Sequence, residues 1–365
     1  MNIRRKNIAV CMGFSLILAG GCLLPIFLPK ETYSDSERRY LASAPKLSAY
    51  AVWSGHFMSD FEAYAADAFL ARDSFRTLKA YTAAGIFGRQ DNNGIYAAKG
   101  YLSAVEYPLD EASLSRAADR FRYICEKYLT EGNKIYLSII PDKNCFLAKE
   151  SGHLSMDYAD FEKRMEDSCA FAEYISISDL LERDDYYKTD THWRQERITD
   201  VAARLLQSMG AEEGQKYEQH LLNRHFYGVY YGQAALPHTP DTLYYLTGEA
   251  IDSCMVYDLQ NQKKGSIYDE ERAAGKDPYE FFLSGPLSLI TMENPKTPEG
   301  KELVMFRDSF GSSIAPLLIG GYSKITLVDI RYIHPDVLEQ FVDFKECDVL
   351  FLYSTLVLNH SDTLK

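Results

Sequence analysis

The stretch Tyr186-Tyr187-Lys188-Thr189-Asp190-Thr191-His192-Trp193 sets a carboxylate two residues before an imidazole and closes on one of only two tryptophans in the chain. A carboxylate that accepts from the far ring nitrogen holds an imidazole in one tautomer and stabilises its charged form, so the pair can take up and return a proton. It still needs a nucleophile. Ser309 is the candidate: the apolar run Leu303-Val304-Met305-Phe306 leads into Arg307-Asp308-Ser309-Phe310-Gly311, which places a hydroxyl where a strand turns into a helix. Backbone N–H groups following such a turn can face a developing oxyanion. A serine hydroxyl is a poor nucleophile until a base removes its proton, which gives Ser309, His192 and Asp190 the roles of nucleophile, base and orienting acid. Each piece also has a purely structural counterpart. Asp308 or Ser309 can cap the following helix, and Asp190–Trp193 can be a polar turn closed by a buried indole.

The elements that must bring these residues together are legible from periodicity. From Asp110 onward the pattern alternates: a helix over about 111–128, the strand Lys134–Ile140 stopped by Pro141, a helix over about 158–171, the short apolar segment Tyr174–Ile177, and a helix over about 196–209. Near the C-terminus come strands at 303–306, 325–328 and 349–353, with helices around 314–318 and 337–341 between them. Short apolar strands alternating with helices imply an α/β fold, a mostly parallel sheet with helices on both faces. Such sheets carry their sites at the C-terminal ends of the strands, where Ser309 falls. The Tyr-rich region of about 219–286, including "FYGVYYGQAALPHTPDTLYYL", fits this alternation less well and reads as an inserted β-hairpin or small β-layer. Before the domain, apolar residues at helical spacing over 53–83 predict amphipathic helices, and turn residues at 91–94 and 99–100 predict a hairpin. The divisions expected are thus residues 1–30, a lead-in of 31–109, and an α/β domain of 110–365 that contains the insertion.

At 365 residues and 46% hydrophobic content the chain can bury a substantial core. A formal net charge of −13 disfavours a phosphate-tracking surface and excludes nucleic acid as an expected partner. Arg4, Arg5 and Lys6 precede an uncharged, mostly apolar run from Ile8 to Leu28, long enough for a membrane helix that keeps the N-terminus inside and exports the rest. A cleaved signal peptide is the alternative, and Ala19-Gly20-Gly21-Cys22 weakly resembles a lipoprotein cleavage site. The polar stretch Glu31–Arg39 then reads as a linker. Cys125, Cys145, Cys169, Cys254 and Cys347 lack CxxC or Cys/His metal spacing and read as small buried apolar residues. His238, His334 and His360 read as surface or satisfied polar residues, so neither metal nor cofactor is assigned. Tyr and Phe, 27 and 19 of them, are mostly core; a few could form platforms for sugar rings, without a spacing that singles them out.

Several stretches together resemble a known group: "DSERRYLASAPKLS", "DFEAYAADAFLARD", "NNGIYAAKGYL", "YYKTDTHW", "FYGVYYGQAALPHTPDTLYY" and "FRDSFGSSIAPLLIGGYSKITLVDIRYI". The chain resembles the SGNH hydrolase-like superfamily, and within it the DHHW proteins and the related alginate O-acetylation proteins of bacterial exopolysaccharide systems. The resemblance implies an SGNH-like three-layer α/β/α domain with Ser309 as nucleophile, His192 as base and Asp190 as its acid. The Asp-x-His element precedes the serine, as in the alginate-type members and opposite to ordinary SGNH esterases. Two positions depart from the pattern. Asp190-Thr191-His192-Trp193 stands for Asp-His-His-Trp, nearer the alginate-type form, and Arg307 occupies the place of the usual Gly before Asp-Ser, where Gly permits close backbone approach.

The loops after two strands, Asp142-Lys143-Asn144 and Arg331-Tyr332, project toward the same rim, so Lys143, Asn144 and Arg331 are candidates to polarise a carbonyl or hold an anionic substrate. The expected function is an extracytoplasmic, membrane-anchored serine enzyme that moves or removes acetyl groups on a cell-surface or secreted polysaccharide through an acetyl-enzyme. A sugar hydroxyl resolving that intermediate makes it an O-acetyltransferase and water makes it an esterase, and the resemblance favours transfer. Expected partners are the polysaccharide acceptor and a membrane protein that delivers acetyl groups. The competing expectation is a non-catalytic polysaccharide-binding or assembly protein on the same fold.

Overall fold

A computed structural model describes residues 3–27, 32–34, 36, 37, 39–211 and 215–365. The chain forms two compact units. The smaller comprises residues 1–93 with 231–237, and the larger comprises 94–230 with 238–365.

The smaller unit is helical. Its amphipathic segment folds as three helices, Ala49–Trp53, His56–Asp67 and Arg72–Gly85, separated by Gly55 and Ala71 in left-handed backbone conformations. Arg39 forks onto the Asp67 carboxylate at 2.8 and 2.6 Å. The expected anchor begins as a helix over Ile3–Phe27. Among the described residues no helix is long and apolar enough to cross a membrane. Leu28 of the expected anchor, and Glu31, Asp35 and Arg38 of the expected linker, lie outside the described residues.

The larger unit is built on an eight-stranded sheet. Across it the order is Lys263–Gly265, Met255–Asp258, Leu289–Glu293, Lys324–Val328, Glu302–Arg307, Asp348–Ser354, Lys134–Ile140 and Glu173–Tyr174. The last five are parallel to one another and the first three are antiparallel additions. Alternate residues of the central strands face opposite layers, as the two-residue period of a strand requires. Leu303, Met305, Leu350 and Leu352 pack with the helices Thr199–Ser208 and Gly311–Leu318; Val304, Phe306, Val349 and Phe351 pack with Glu111–Tyr128 and Tyr158–Ser168. Strands buried on both faces in this way account for their uninterrupted apolar runs. The result is the expected three-layer α/β/α domain.

Local signals explain the best-defined boundaries. The Asp110 side chain accepts from the Ser113 N–H to start the helix Glu111–Tyr128, and Asp157 does the same for Ala159 and Asp160. Pro141, with no N–H to give the ladder, ends Lys134–Ile140. The Tyr-rich region divides in two: Glu218–Phe226 and Asp241–Thr247 pair as a separate antiparallel hairpin, whereas Met255–Asp258 and Lys263–Gly265 extend the main sheet as its antiparallel edge.

Phe306 is fully buried and stacks on Phe351 with centroids 4.9 Å apart, in the middle of one face of the sheet. Phe306→Ala is expected to lower unfolding stability by about 3–5 kcal/mol, the usual cost of emptying an aromatic core position. Urea titration of the full chain checks this, and a loss below about 1 kcal/mol would contradict the packing described.

Candidate active site

The strand Glu302–Arg307 ends at the carboxyl edge of the sheet, and the chain turns there through Asp308, Ser309 and Phe310 into Gly311–Leu318. Asp308 fastens the turn. Its Oδ1 accepts from the Phe310 N–H at 2.9 Å, and its Oδ2 accepts from the Ser354 N–H at 2.8 Å and the Ser354 hydroxyl at 2.6 Å, tying the turn to the end of the neighbouring strand. The helix Gly311–Leu318 itself starts at Phe310 without a side-chain cap, and Ser309 is half-buried with its hydroxyl facing His192. The N–H groups after the serine are occupied: Phe310 donates to Asp308 Oδ1, and Gly311 and Ser312 donate to the carbonyls of Asp308 and Ser309. Among the described residues no acceptor is bonded to the Ser309 N–H itself, which makes it the available local oxyanion donor.

The second half of the site is a loop closed like a hairpin. Tyr186 and Trp193 form an antiparallel bridge, the Tyr187 N–H donates to His192 O at 3.1 Å, and the Arg194 N–H donates to Asp185 O at 2.7 Å. Within the loop, the Asp241 carboxylate accepts from the Lys188 and Thr189 N–H groups at 2.7 and 2.8 Å and from the Thr189 hydroxyl at 2.6 Å. Asp190 is completely buried, and its Oδ2 accepts from the Val229 N–H at 2.8 Å. Gly228 makes that approach possible, because a Cβ there would stand 2.2 Å from Asp190 Cβ.

These fixed parts converge. His192 Nδ1 lies 2.5 Å from Asp190 Oδ1, and His192 Nε2 lies 2.8 Å from Ser309 Oγ, bridging residues 117 positions apart. With Nδ1–H donating to the carboxylate, Nε2 is left as the acceptor for the serine proton. The Tyr279 ring stacks on the imidazole at 3.8 Å and 7° between planes, which fixes the ring plane and favours a cationic imidazolium once it has the proton.

Ser313, one turn along the helix after Ser309, joins both halves. Its hydroxyl oxygen accepts from the Trp193 indole N–H and the Tyr279 hydroxyl, each at 2.9 Å, while its carbonyl accepts from the Gln195 amide at 2.8 Å. The carboxylate–imidazole reading and the buried-indole reading of Asp190–Trp193 therefore describe one loop: Trp193, at 0% exposure, is the anchor that presents His192.

The remaining candidates turn inward: Lys143 and Asn144 meet partners from distant elements, and Arg331 meets Asp329 two residues before it. Lys143 is 1% exposed and donates from behind the loop to Tyr187 O at 2.7 Å and Lys188 O at 3.4 Å, with its ammonium 5.0 Å from the centre of the Tyr230 ring. Asn144 accepts from the Tyr96 hydroxyl and donates to Glu106 O and Leu154 O. Arg331 forks onto Asp329 at 2.9 and 2.7 Å. The loops do reach one rim, as Asp142 and Asp308 bonded to Thr355 and Ser354 show, but these three side chains are consumed in building it. Arg307 also points in. Its stem lies under Gly311, and its guanidinium donates to Asp308 O at 3.2 Å and stands 3.9 Å from Asp329. Tyr279, Ser313, Gln195 and Asp241 went unnoticed in the sequence. They act over long chain separations, with no spacing to mark them.

The fold and the relay together make an α/β/α domain that carries a serine, a histidine and a carboxylate in hydrogen-bond contact at the carboxyl edge of its sheet. No family model matches the chain, and no curated protein matches it. Among solved structures, a DHHW family protein from Eubacterium siraeum superposes with a TM-score of 0.59 at 19% identity, over 73% of this chain and 93% of that one. Bacillus cereus PatB1 with a sulfonyl adduct superposes at 0.53 and 20% identity, over 72% and 95%, and a second PatB1 structure at 0.51 and 16%, over 72% and 96%. The structural neighbours thus include a protein of the DHHW family that the sequence resembles, and at these identities the likeness is one of fold.

Burial pushes the Lys143 ammonium down to about 7, with Asp241, Asp190 and Asp142 acting in the opposite direction. An unfolded lysine titrates near 10.4. Between about pH 7 and 10 the unfolded chain therefore binds a proton that the folded chain has released, and this group's contribution makes stability rise with pH across that window. Lys143→Met removes the contribution, so wild type should gain on the order of a few kcal/mol relative to the variant between pH 7 and pH 10. Denaturant titrations at both pH values measure it, and a constant difference would mean that Lys143 stays charged.

Proposed function

We propose that the chain is a serine-dependent O-acetyltransferase that acts outside the cytoplasm on a polysaccharide, with the apolar run Ile8–Leu28 serving as its anchor or export signal. The observation that carries this reading is the continuous relay from Asp190 Oδ1 through His192 to Ser309 Oγ, with both hydrogen bonds at 2.5–2.8 Å. The half-exposed Ser309 is the one member of the relay that an incoming acyl group can reach without rearrangement.

In the first half-reaction the Ser309 oxygen bonds to the acetyl carbon of the donor as its proton passes to His192 Nε2. The Ser309 N–H faces the oxyanion, and Asp190 and the Tyr279 ring stabilise the imidazolium. Collapse breaks the donor's carbonyl–leaving-group bond, and the leaving group takes the proton from Nε2. In the second half a sugar hydroxyl gives its proton to Nε2 and attacks the acetyl carbon, and Ser309 regains its proton as it leaves. Water in place of the sugar gives hydrolysis. The resemblance to alginate O-acetylation proteins favours transfer, with a membrane protein as the source of acetyl groups. PatB1, which shares this fold, has a structure with a sulfonyl adduct, and a sulfonyl fluoride is the corresponding probe for Ser309.

The full chain is expected to turn over a chromogenic acetyl ester and to gain an acetyl or sulfonyl adduct by intact mass. Ser309→Ala should abolish the adduct, and Asp190→Asn should lower kcat by about 10³- to 10⁴-fold. A folded protein that shows neither turnover nor adduct with several acyl donors would put the non-catalytic polysaccharide-binding reading ahead.

A further inference from the structure

The aromatic cluster that holds His192 continues away from it into a cavity that the relay does not use. The cavity has a volume of about 540 Å³, and Leu222, Tyr245, Thr247, Tyr268, Glu270 and Phe281 are among the residues that line it. Tyr245 stands 4.9 Å from Tyr268 and 5.1 Å from Phe281, and Tyr268 stacks on Phe281 at 4.9 Å, so three rings meet in its wall. Tyr245 and Tyr268 are half-buried, and the Glu270 carboxylate is exposed at the rim.

Two links join this wall to the relay. Phe281 belongs to the turn Pro278–Phe281, whose Tyr279 covers His192. The Tyr268 hydroxyl donates to Leu246 O and lies 3.1 Å from the side-chain Oε1 of Gln195, three residues past His192; that Oε1 accepts from the Leu246 N–H, and the Gln195 side-chain amide N–H holds Ser313 O.

Aromatic rings beside a few polar groups suit a pyranose, which offers apolar C–H faces to the rings and hydroxyls to a carboxylate and a threonine. The volume lies within the range of small-ligand sites. Charge narrows the class. Among the described residues Glu270 is the only charged side chain in the lining, Asp269 and Glu271 flank it in sequence, and Arg272 is paired with Glu280 at 2.9 Å. A uronate would meet like charge there with no cation to offset it.

We propose that this cavity is an acceptor subsite that holds an uncharged pyranose residue of the polysaccharide. The proposal rests on the reading that the acceptor is a polysaccharide, and it specifies which kind.

The test is calorimetric titration of the full chain with three probes: the tetramers of N-acetylglucosamine, glucose and mannuronic acid. At least one uncharged tetramer should bind, and more tightly than the mannuronate. Tyr245→Ala should weaken that binding about tenfold, as expected for loss of an aromatic contact. Glu270→Lys, at an exposed position that the fold does not need, should shift preference toward the mannuronate tetramer. Ser309→Ala should bind as wild type. No binding of either uncharged tetramer, tighter binding of mannuronate by wild type, or affinities that neither Tyr245→Ala nor Glu270→Lys alters would each overturn the subsite. Failure of the serine chemistry looks different: Tyr245-dependent binding would persist without Ser309-dependent turnover. The converse, Ser309-dependent turnover without oligosaccharide binding, removes the subsite alone.

Discussion

The Trp193 indole N–H lies between two acceptors on the element that carries Ser309, Phe310 O at 3.1 Å and Ser313 Oγ at 2.9 Å, and everything else in the site takes its position from that contact. A three-residue loop segment cannot hold an imidazole steady by itself. Here the largest side chain in the segment is driven into the core beside Phe310, with ring centroids 5.6 Å apart, and its one polar atom then has to find a partner in a place where water is excluded. Ser313 provides it. Because Ser313 is one helical turn from Ser309, satisfying the indole also sets the distance between His192 and the hydroxyl it serves. Hydrophobic burial supplies the driving force, and the hydrogen bond supplies the register.

The sheet edge imposes a second constraint. Parallel strands end together on one side, so their last residues crowd polar groups into a single buried row: Asp142, Asp308 and Asp329 follow three neighbouring or next-neighbouring strands. Burial raises the Asp142 carboxyl, and bonds from Tyr158, Thr355 and the Asn144 N–H act against that rise. Asp308 is bound to Ser354, and Asp329 is bound by Arg331. Asp142 and Asp308 thus each tie one strand end to the next, and Asp329 faces the Arg307 guanidinium of the neighbouring strand at 3.9 Å. Lys143 does the same for the opposite loop through two carbonyls, with its charge facing Asp190 and Asp241. Charged residues near the site are therefore mostly fastenings, which leaves Ser309 as the least buried member of the relay.

How far this could be read from sequence depends on the range of the forces involved. The helix Glu111–Tyr128 and the strand Lys134–Ile140 fall where periodicity puts them, because Asp110 and Pro141 punctuate them locally. The strand Leu289–Glu293 and the edge strands Met255–Asp258 and Lys263–Gly265 escaped. All three are short and antiparallel, and the two edge strands lie in Tyr-rich sequence whose alternation fits a detached hairpin equally well. In the site, Asp190 and His192 betray themselves by adjacency and Ser309 by its strand-to-helix context. Tyr279 and Ser313 carry no such mark, since a stacked ring and a shared hydroxyl arise only when segments far apart in the chain meet. The same reason explains Lys143 and Asn144. A polar residue in a strand-end loop looks equally suited to a ligand or to a partner folded over from elsewhere, here the carbonyls of Tyr187 and Lys188 and the Tyr96 hydroxyl, whereas Arg331 closes on Asp329 in its own loop.

Arg307 presents the opposite case, a residue whose type argues against the turn it introduces. A glycine in that place would leave room for the backbone that follows, and an arginine fills it. The room is recovered four residues later, because a Cβ on Gly311 would stand 2.7 Å from Arg307 Cβ and 3.1 Å from its Cδ. The arginine is costly in electrostatic terms: burial lowers the Arg307 pKa, Asp329 offsets this from 3.9 Å, and the Arg307 Nε is buried without a partner among the described residues. What the cost secures is visible in the bond from the guanidinium to Asp308 O. That carbonyl also accepts from the Gly311 N–H, so Arg307 draws the strand end and the helix start together around Ser309. A guanidinium that substitutes for a glycine thereby becomes one more fastening of the nucleophile turn.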